Sequence, residues 1–152
     1  MILAIDPGTT QSAYVVFDNG KIEDKGIVEN YNLLAWINEG EFMNCDELYI
    51  EMVASYGMAV GKTVFETCVW IGRFVEAWHD EWEYVYRKDV KMHLCGQTKA
   101  KDSNIRQAIM DMYGSDRSIA IGTKKAQGPL YGVSKDVWAA LGVAITASGY
   151  TA

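Results

Sequence analysis

Apolar and polar positions fall into short runs near the N-terminus and longer helical periods after it. Ile2-Leu3-Ala4-Ile5-Asp6 is an apolar run closed by Pro7-Gly8, the pattern of a buried strand entering a turn. Ala13 to Phe17 is rich in strand formers and stops at Asp18-Asn19-Gly20, a hairpin signal. Lys21 to Val28 supplies the returning strand, so the first three strands make an antiparallel meander. Tyr31 to Asn38 has helical spacing, with Leu34 and Ile37 on one side. Glu47 to Ile50 reads as a fourth strand delivering Glu51 at its end. Lys62 to Trp78 carries the longest helical period, with Val64, Cys68, Ile71 and Val75 on one face and Val69, Trp70 and Phe74 outside it. A helix apolar on more than one side is expected to meet both the sheet and a partner subunit. Glu83 to Tyr86 reads as a fifth strand. Asp102 to Met112 reads as a helix with Asp102 or Ser103 as N-cap and Ile105, Ala108, Ile109 and Met112 on one face. Residues 114–132 lack a period and are expected to form a mobile loop. Ser134 is expected to cap a last helix from Lys135 to about Ala147. The order β-β-β-α-β-α-β-α-α predicts an α/β fold, a five-stranded mixed sheet flanked by helices on both faces.

Length and composition narrow the class. A chain of 152 residues suits one domain, and 49% apolar with 22% charged residues is a globular profile. Cys45, Cys68 and Cys95 form no CxxC pair, and their odd number argues against a disulfide framework. A reducing, cytoplasmic setting is the expectation, with no secretory signal and no apolar run near the roughly 20 residues of a membrane helix. The net charge of -6 speaks against a polyanionic partner, yet its distribution does not. Lys99, Lys101, Arg106, Arg117, Lys124, Lys125 and Lys135 face only Asp102, Asp111 and Asp116 over the same stretch. This basic third suits phosphate contacts.

Three acids stand at the ends of separate elements. Asp6 closes the first strand, Glu51 closes the fourth, and Asp136 lies in the first turn of the last helix. If strands one and four are parallel neighbours, their ends bring Asp6 and Glu51 together, and a helix crossing there adds Asp136. Acids at the edge of apolar strands are costly to bury alone, so a shared cation is the natural partner. Phosphodiester hydrolysis by two divalent ions about 4 Å apart needs such oxygen donors.

These residues carry a resemblance. Ala4-Ile5-Asp6-Pro7-Gly8-Thr9, then Tyr49-Ile50-Glu51-Met52-Val53, then Ser134-Lys135-Asp136-Val137-Trp138-Ala139-Ala140-Leu141 through Thr146 resemble, in order and spacing, the three acidic motifs of RuvC Holliday-junction resolvases. Tyr86-Arg87-Lys88-Asp89-Val90-Lys91 and Lys101-Asp102-Ser103-Asn104-Ile105-Arg106 bring the likeness nearest to bacteriophage-encoded members. The resemblance implies an RNase H-like fold, a homodimer, Mg²⁺ (with Mn²⁺ able to substitute, two ions per site) and paired cuts across four-way DNA junctions. It implies Asp6, Glu51 and Asp136 as metal ligands. Where cellular RuvC proteins place a second metal-facing residue three positions after the first on the last helix, this chain has Ala139. Lys135 then becomes a candidate for the catalytic site, and Lys101, Lys124 and Lys125 for phosphate contacts. Tyr56 is a candidate for stacking on an unpaired base.

Other signals fail on spacing. Gly57-Met-Ala-Val-Gly61-Lys62-Thr63 has three residues between its glycines where a phosphate loop needs four, so no nucleotide cofactor is expected. His79, His93 and Cys95 lack the pairing of a zinc site. Rival functions are a YqgF-like RNA-processing nuclease, which shares the Asp-Pro-Gly opening, and a junction-binding protein without catalysis, suggested by Ala139. An actin-like phosphotransferase would require a second domain and a second phosphate loop.

Overall fold

The computed structural model describes residues 1–151. Five strands, β1 (Ile2–Asp6), β2 (Gln11–Asp18), β3 (Lys21–Glu29), β4 (Glu47–Met52) and β5 (Glu81–Tyr86), form one sheet in the order β3-β2-β1-β4-β5. The meander is antiparallel, while β4 runs parallel to β1 and β5 parallel to β4. The mixed sheet expected from the pattern is present.

Among the described residues there are six helices: α1 (Asn30–Asn38), α2 (Lys62–Ala77), α3 (Arg87–Cys95), α4 (Asp102–Tyr113), α5 (Arg117–Ala120) and α6 (Val137–Ser148). The period-2 alternation of β1 and β2 sorts their side chains between two cores. Ala4, Ala13, Val15 and Phe17 pack with α6, α4 and Val90 of α3 on one face. Leu3, Ile5, Tyr14 and Val16 pack with α1 and α2 on the other. Helix α6 is buried along most of its length and lies across β1, β2 and β4. Its apolar residues appear all round, as expected of a helix covered on several sides.

The structure corrects several expectations. Helix α3 follows β5 without a break and was not signalled, since only Val90 is fully buried along it. The N-cap of α4 is Lys101, not Asp102 or Ser103; Asn104 Oδ1 accepts from the Lys101 backbone N–H at 2.9 Å. The last helix starts at Val137 with Asp136 as N-cap, so Ser134 is not its cap. Lys135 adopts φ 48, a left-handed conformation that no helix interior accepts, and this delays the start. The segment expected to be a mobile loop holds α5 and a small β-bridge between Gly122 and Gln127. It is anchored by Leu130, fully buried, whose N–H donates to Ala120 O at 2.9 Å. In α2 the core face is Thr67, Trp70, Ile71 and Phe74. Trp70, Phe74 and Trp78 bury more area at their four-residue spacing than Val64, Cys68 and Val75 could, and the larger side chains set the rotation. Phe65 and Val69 are left about 60% exposed.

Candidate functional site

The site begins with register. Ile5 pairs with Ile50 across the parallel β1–β4 ladder, and Asp6 and Glu51 each follow by one residue. Ile5 and Ile50 belong to the α1–α2 core, so by alternation their successors point to the α6 face. Helix α6 crosses that face and starts with Asp136. Its N-cap side chain makes no capping hydrogen bond and is exposed to solvent. The topology therefore brings all three acids to one end of the sheet, on one face.

A buried polar network fixes the turn after Asp6. Ser12 Oγ donates to Asn30 Oδ1 at 2.6 Å, and Asn30 Nδ2 donates to Gly8 O at 2.9 Å. Gly8 N–H donates to Ser12 Oγ at 3.2 Å, and Asn30 N–H donates to Thr10 O at 2.9 Å. Gly8 is required here, because a Cβ would lie 2.3 Å from Gln11 O. Asn30 is fully buried and gave no signal in the sequence, where it reads as an ordinary helix-start asparagine.

Electrostatics mark the end of the sheet as short of positive charge. The Asp6 carboxyl is pushed up to about 8, first by burial, then by the neighbouring Glu51 and Asp136 carboxylates, with Arg87 opposing. Burial also raises Glu51, against the opposing pull of Arg87. Glu51 Oε1 is buried without a hydrogen-bond partner. Its nearest cationic partner is Arg87 Nη1 at 3.7 Å, likewise buried and unpartnered. Arg87 Nη2 bonds Asp102 instead, and that hydrogen bond holds the Asp102 carboxyl below the usual carboxylate range.

The donor set suits a hard divalent cation: carboxylate oxygens only, two of the acids mostly desolvated, one buried oxygen unpaired. Among the described residues no three His, Cys, Asp or Glu side chains converge on a common point as they stand. Arg87, not a third carboxylate, lies against Glu51. Side-chain rotation is what an ion would demand of this site.

Lys135 lines a cavity of about 200 Å³ with Asp136, Asp102 and Arg87. Tyr56 lines a second, of about 480 Å³, with Arg87, Lys88 and Lys91. Both candidates share an unusual backbone. Asn19, Tyr56 and Lys135 are the non-glycine residues with positive φ among the described residues. Asn19 serves the β2–β3 hairpin turn, whereas Tyr56 (φ 49) and Lys135 (φ 48) flank the acids. Each such residue costs on the order of 1 kcal/mol, and strain of this kind gathers at working sites. Lys101 is exposed at the start of α4 beside Asp102. Lys124 and Lys125 are exposed at the tip of the Gly122–Gln127 bridge and line neither cavity.

Arg87, Asp102, Lys88 and Lys91 were not singled out as site residues. A signal was available: Arg87 and Lys91 are four apart, directly after a strand parallel to β4, so their helix had to start beside Glu51.

No family model matches the chain, and no curated protein matches it in sequence. Solved structures do. A Thermus thermophilus RuvC structure superposes with TM-score 0.66 at 13% identity, covering 97% of this chain and 92% of that one. T. thermophilus RuvC in complex with Holliday junction substrate superposes with TM-score 0.67 at 14% identity and the same coverage. The chain therefore has the RuvC fold, the RNase H-like architecture that its acidic motifs implied.

Proposed function

We propose that this RuvC-fold chain is a divalent-metal-dependent endonuclease that cuts branched DNA, with the four-way junction as its first substrate. The observation that carries the reading is the gathering of Asp6, Glu51 and Asp136 at one end and one face of the sheet, in a chain whose fold covers 92% of the RuvC chain solved with Holliday junction substrate. Asp6, Glu51 and Asp136 are the residues that would hold Mg²⁺ or Mn²⁺. The bound ion supplies charge neutralisation at the scissile phosphate and activation of water.

The chain's own residues do the rest. Burial of Asp6 and Glu51 makes the pair seek a cation, and the Gly8–Ser12–Asn30 network keeps Asp6 aimed at the α6 face. Lys135 stands beside Asp136, where its ammonium can take a phosphate oxygen. Lys88 and Lys91, with Lys101, Lys124 and Lys125 further out, supply phosphate contacts. Tyr56, 63% exposed beside that basic cavity, offers a ring for a base unpaired at the crossover. Phe65 and Val69 form an apolar stripe on the outer side of α2 that suits a second copy, and a two-fold dimer would present two sites to a two-fold junction. The bacteriophage-type assignment rests on the Tyr86–Lys91 and Lys101–Arg106 stretches. No helix among the described residues is long and apolar enough to cross a membrane; the cytoplasmic setting belongs to the same proposal.

Ala139 favours one second reading, a junction-binding protein without cleavage. Synthetic four-way junction, linear duplex and structured RNA, each offered with Mg²⁺ and with Mn²⁺, decide the matter. Paired nicks in the junction, lost in Asp6→Asn while binding persists, are expected. Binding without nicks supports the second reading, and cleavage of RNA alone contradicts both.

A further inference from the structure

We infer that Arg87 is a resident cation of the carboxylate cluster: it engages Glu51, is itself positioned by Asp102, and competes with a divalent ion for Glu51. This rests on the reading of Asp6, Glu51 and Asp136 as a metal site.

The geometry is specific. Arg87 is the first residue of α3, directly after β5, and β5 is in register with β4 so that Glu51 pairs with Val85. Strand pairing thus delivers the guanidinium to the end of β4. The Arg87 side chain is 26% exposed and that of Glu51 19%, so the pair is shielded where Asp102, at 78%, is not. Arg87 bridges the two acids, bonding Asp102 through Nη2 and facing Glu51 through Nη1 at 3.7 Å. That distance is an ion pair without a hydrogen bond, and Nη1 and Glu51 Oε1 both lack other partners. Glu51 is therefore held electrostatically but not saturated, and remains able to turn to an ion.

Arg87 also borders the side of the site where Ala139 brings only a methyl group. Both line the cavity of about 200 Å³ that contains Asp136. Asp102 lines the same cavity, so the guanidinium stands among the carboxylates rather than apart from them. The other nearby cations fill the role less well. Arg106 lies over the Trp138 ring at 5.5 Å, and Lys135 is exposed to solvent.

Mn²⁺ titration of the full chain without DNA, followed by calorimetry and by the spin-resonance signal of free Mn²⁺, tests the inference without reference to cleavage. Wild type should bind Mn²⁺. Arg87→Ala, which removes the cation competing for Glu51, should bind Mn²⁺ about tenfold more tightly while cutting junctions more slowly. A merely structural arginine would weaken both. Arg87→Lys, which keeps the charge, should stay within about threefold of wild type in Mn²⁺ affinity. If Arg87→Ala does not fold, Asp102→Asn serves: it leaves Arg87 to Glu51 alone and should weaken Mn²⁺ binding by about threefold or more. Unchanged or weaker binding in folded Arg87→Ala, or unchanged binding in Asp102→Asn, would each overturn the inference and leave the metal site standing. No Mn²⁺ bound by wild type would overturn the metal site itself.

Discussion

Asp6 ends β1 and Glu51 stands one residue before the end of β4, whereas Asp136 and Asp102 sit at helix starts in contact with solvent. The first pair is fixed by a ladder and a buried network and carries raised carboxyl pKa values. Asp102, though tied to Arg87, is the kind of acid a folded protein carries without penalty. The contrast separates what the site costs from what it does. The strand-end acids are held in place at the expense of stability, a pattern expected where a cation is to be bound. The helix-start acids complete the cluster at almost no expense.

Substitution should expose that difference most sharply. Asp6→Asn should reduce junction cleavage by at least about 1,000-fold and, without divalent ions at pH 8, raise stability by several kcal/mol, because a desolvated charge disappears. Asp136→Asn should also abolish cleavage but leave stability within about 0.5 kcal/mol. Nicking assays and urea denaturation read the two effects separately. Equal stability changes in both variants would erase the distinction.

The pH response follows from the same contrast. Asp6 titrates near 8 in the folded chain against about 3.9 when unfolded, so the folded state holds the extra proton between those values. Stability in EDTA should be fullest below about pH 4 and decline by several kcal/mol as pH rises to about 8. Mn²⁺ should reverse the decline, and Asp6→Asn should flatten much of it. A metal-free stability that rises over this window would contradict the raised carboxyl.

Asn30 sharpens the buried half of the comparison. Asn30→Ala strips partners from Ser12 and Gly8 inside the protein and should cost about 2–4 kcal/mol in denaturant melts. Cleavage should fall as well, because the turn after Asp6 loosens; a stable, fully active variant would show that the network is not what aims Asp6. The outer side of α2 should bear on assembly and leave the acids untouched. Phe65→Glu with Val69→Glu should leave monomer stability within about 1 kcal/mol yet shift a dimer to monomer in sedimentation. A dimer that survives the change would place the contact elsewhere.

The two halves also differed in legibility. Asp6 and Glu51 could be read from the sequence because a short apolar run, an acid and a turn are local features, and period-2 alternation gives each acid its face. The hairpin at Asp18-Asn19-Gly20 was legible for the same reason. Arg87 was not, because Tyr86-Arg87 passes from strand to helix with no glycine or proline, and α3 shows too few apolar positions to announce itself. The late start of α6 depends on the left-handed Lys135, which residue type does not foretell. The rotation of α2 is not legible in a count of apolar positions, which weights Val64 and Cys68 equally with Trp70 and Phe74. Residues 114–132 lack a period, yet Leu130 and Ala120 pin them to the core through contacts distant in sequence.

A crystal of the protein grown with Mn²⁺ and measured at the manganese absorption edge would test the shared cation most directly. An anomalous peak within coordination distance of Asp6, Glu51 and Asp136 together is the expected result. A well-ordered crystal with no peak there, or with manganese bound away from all three carboxylates, would contradict it.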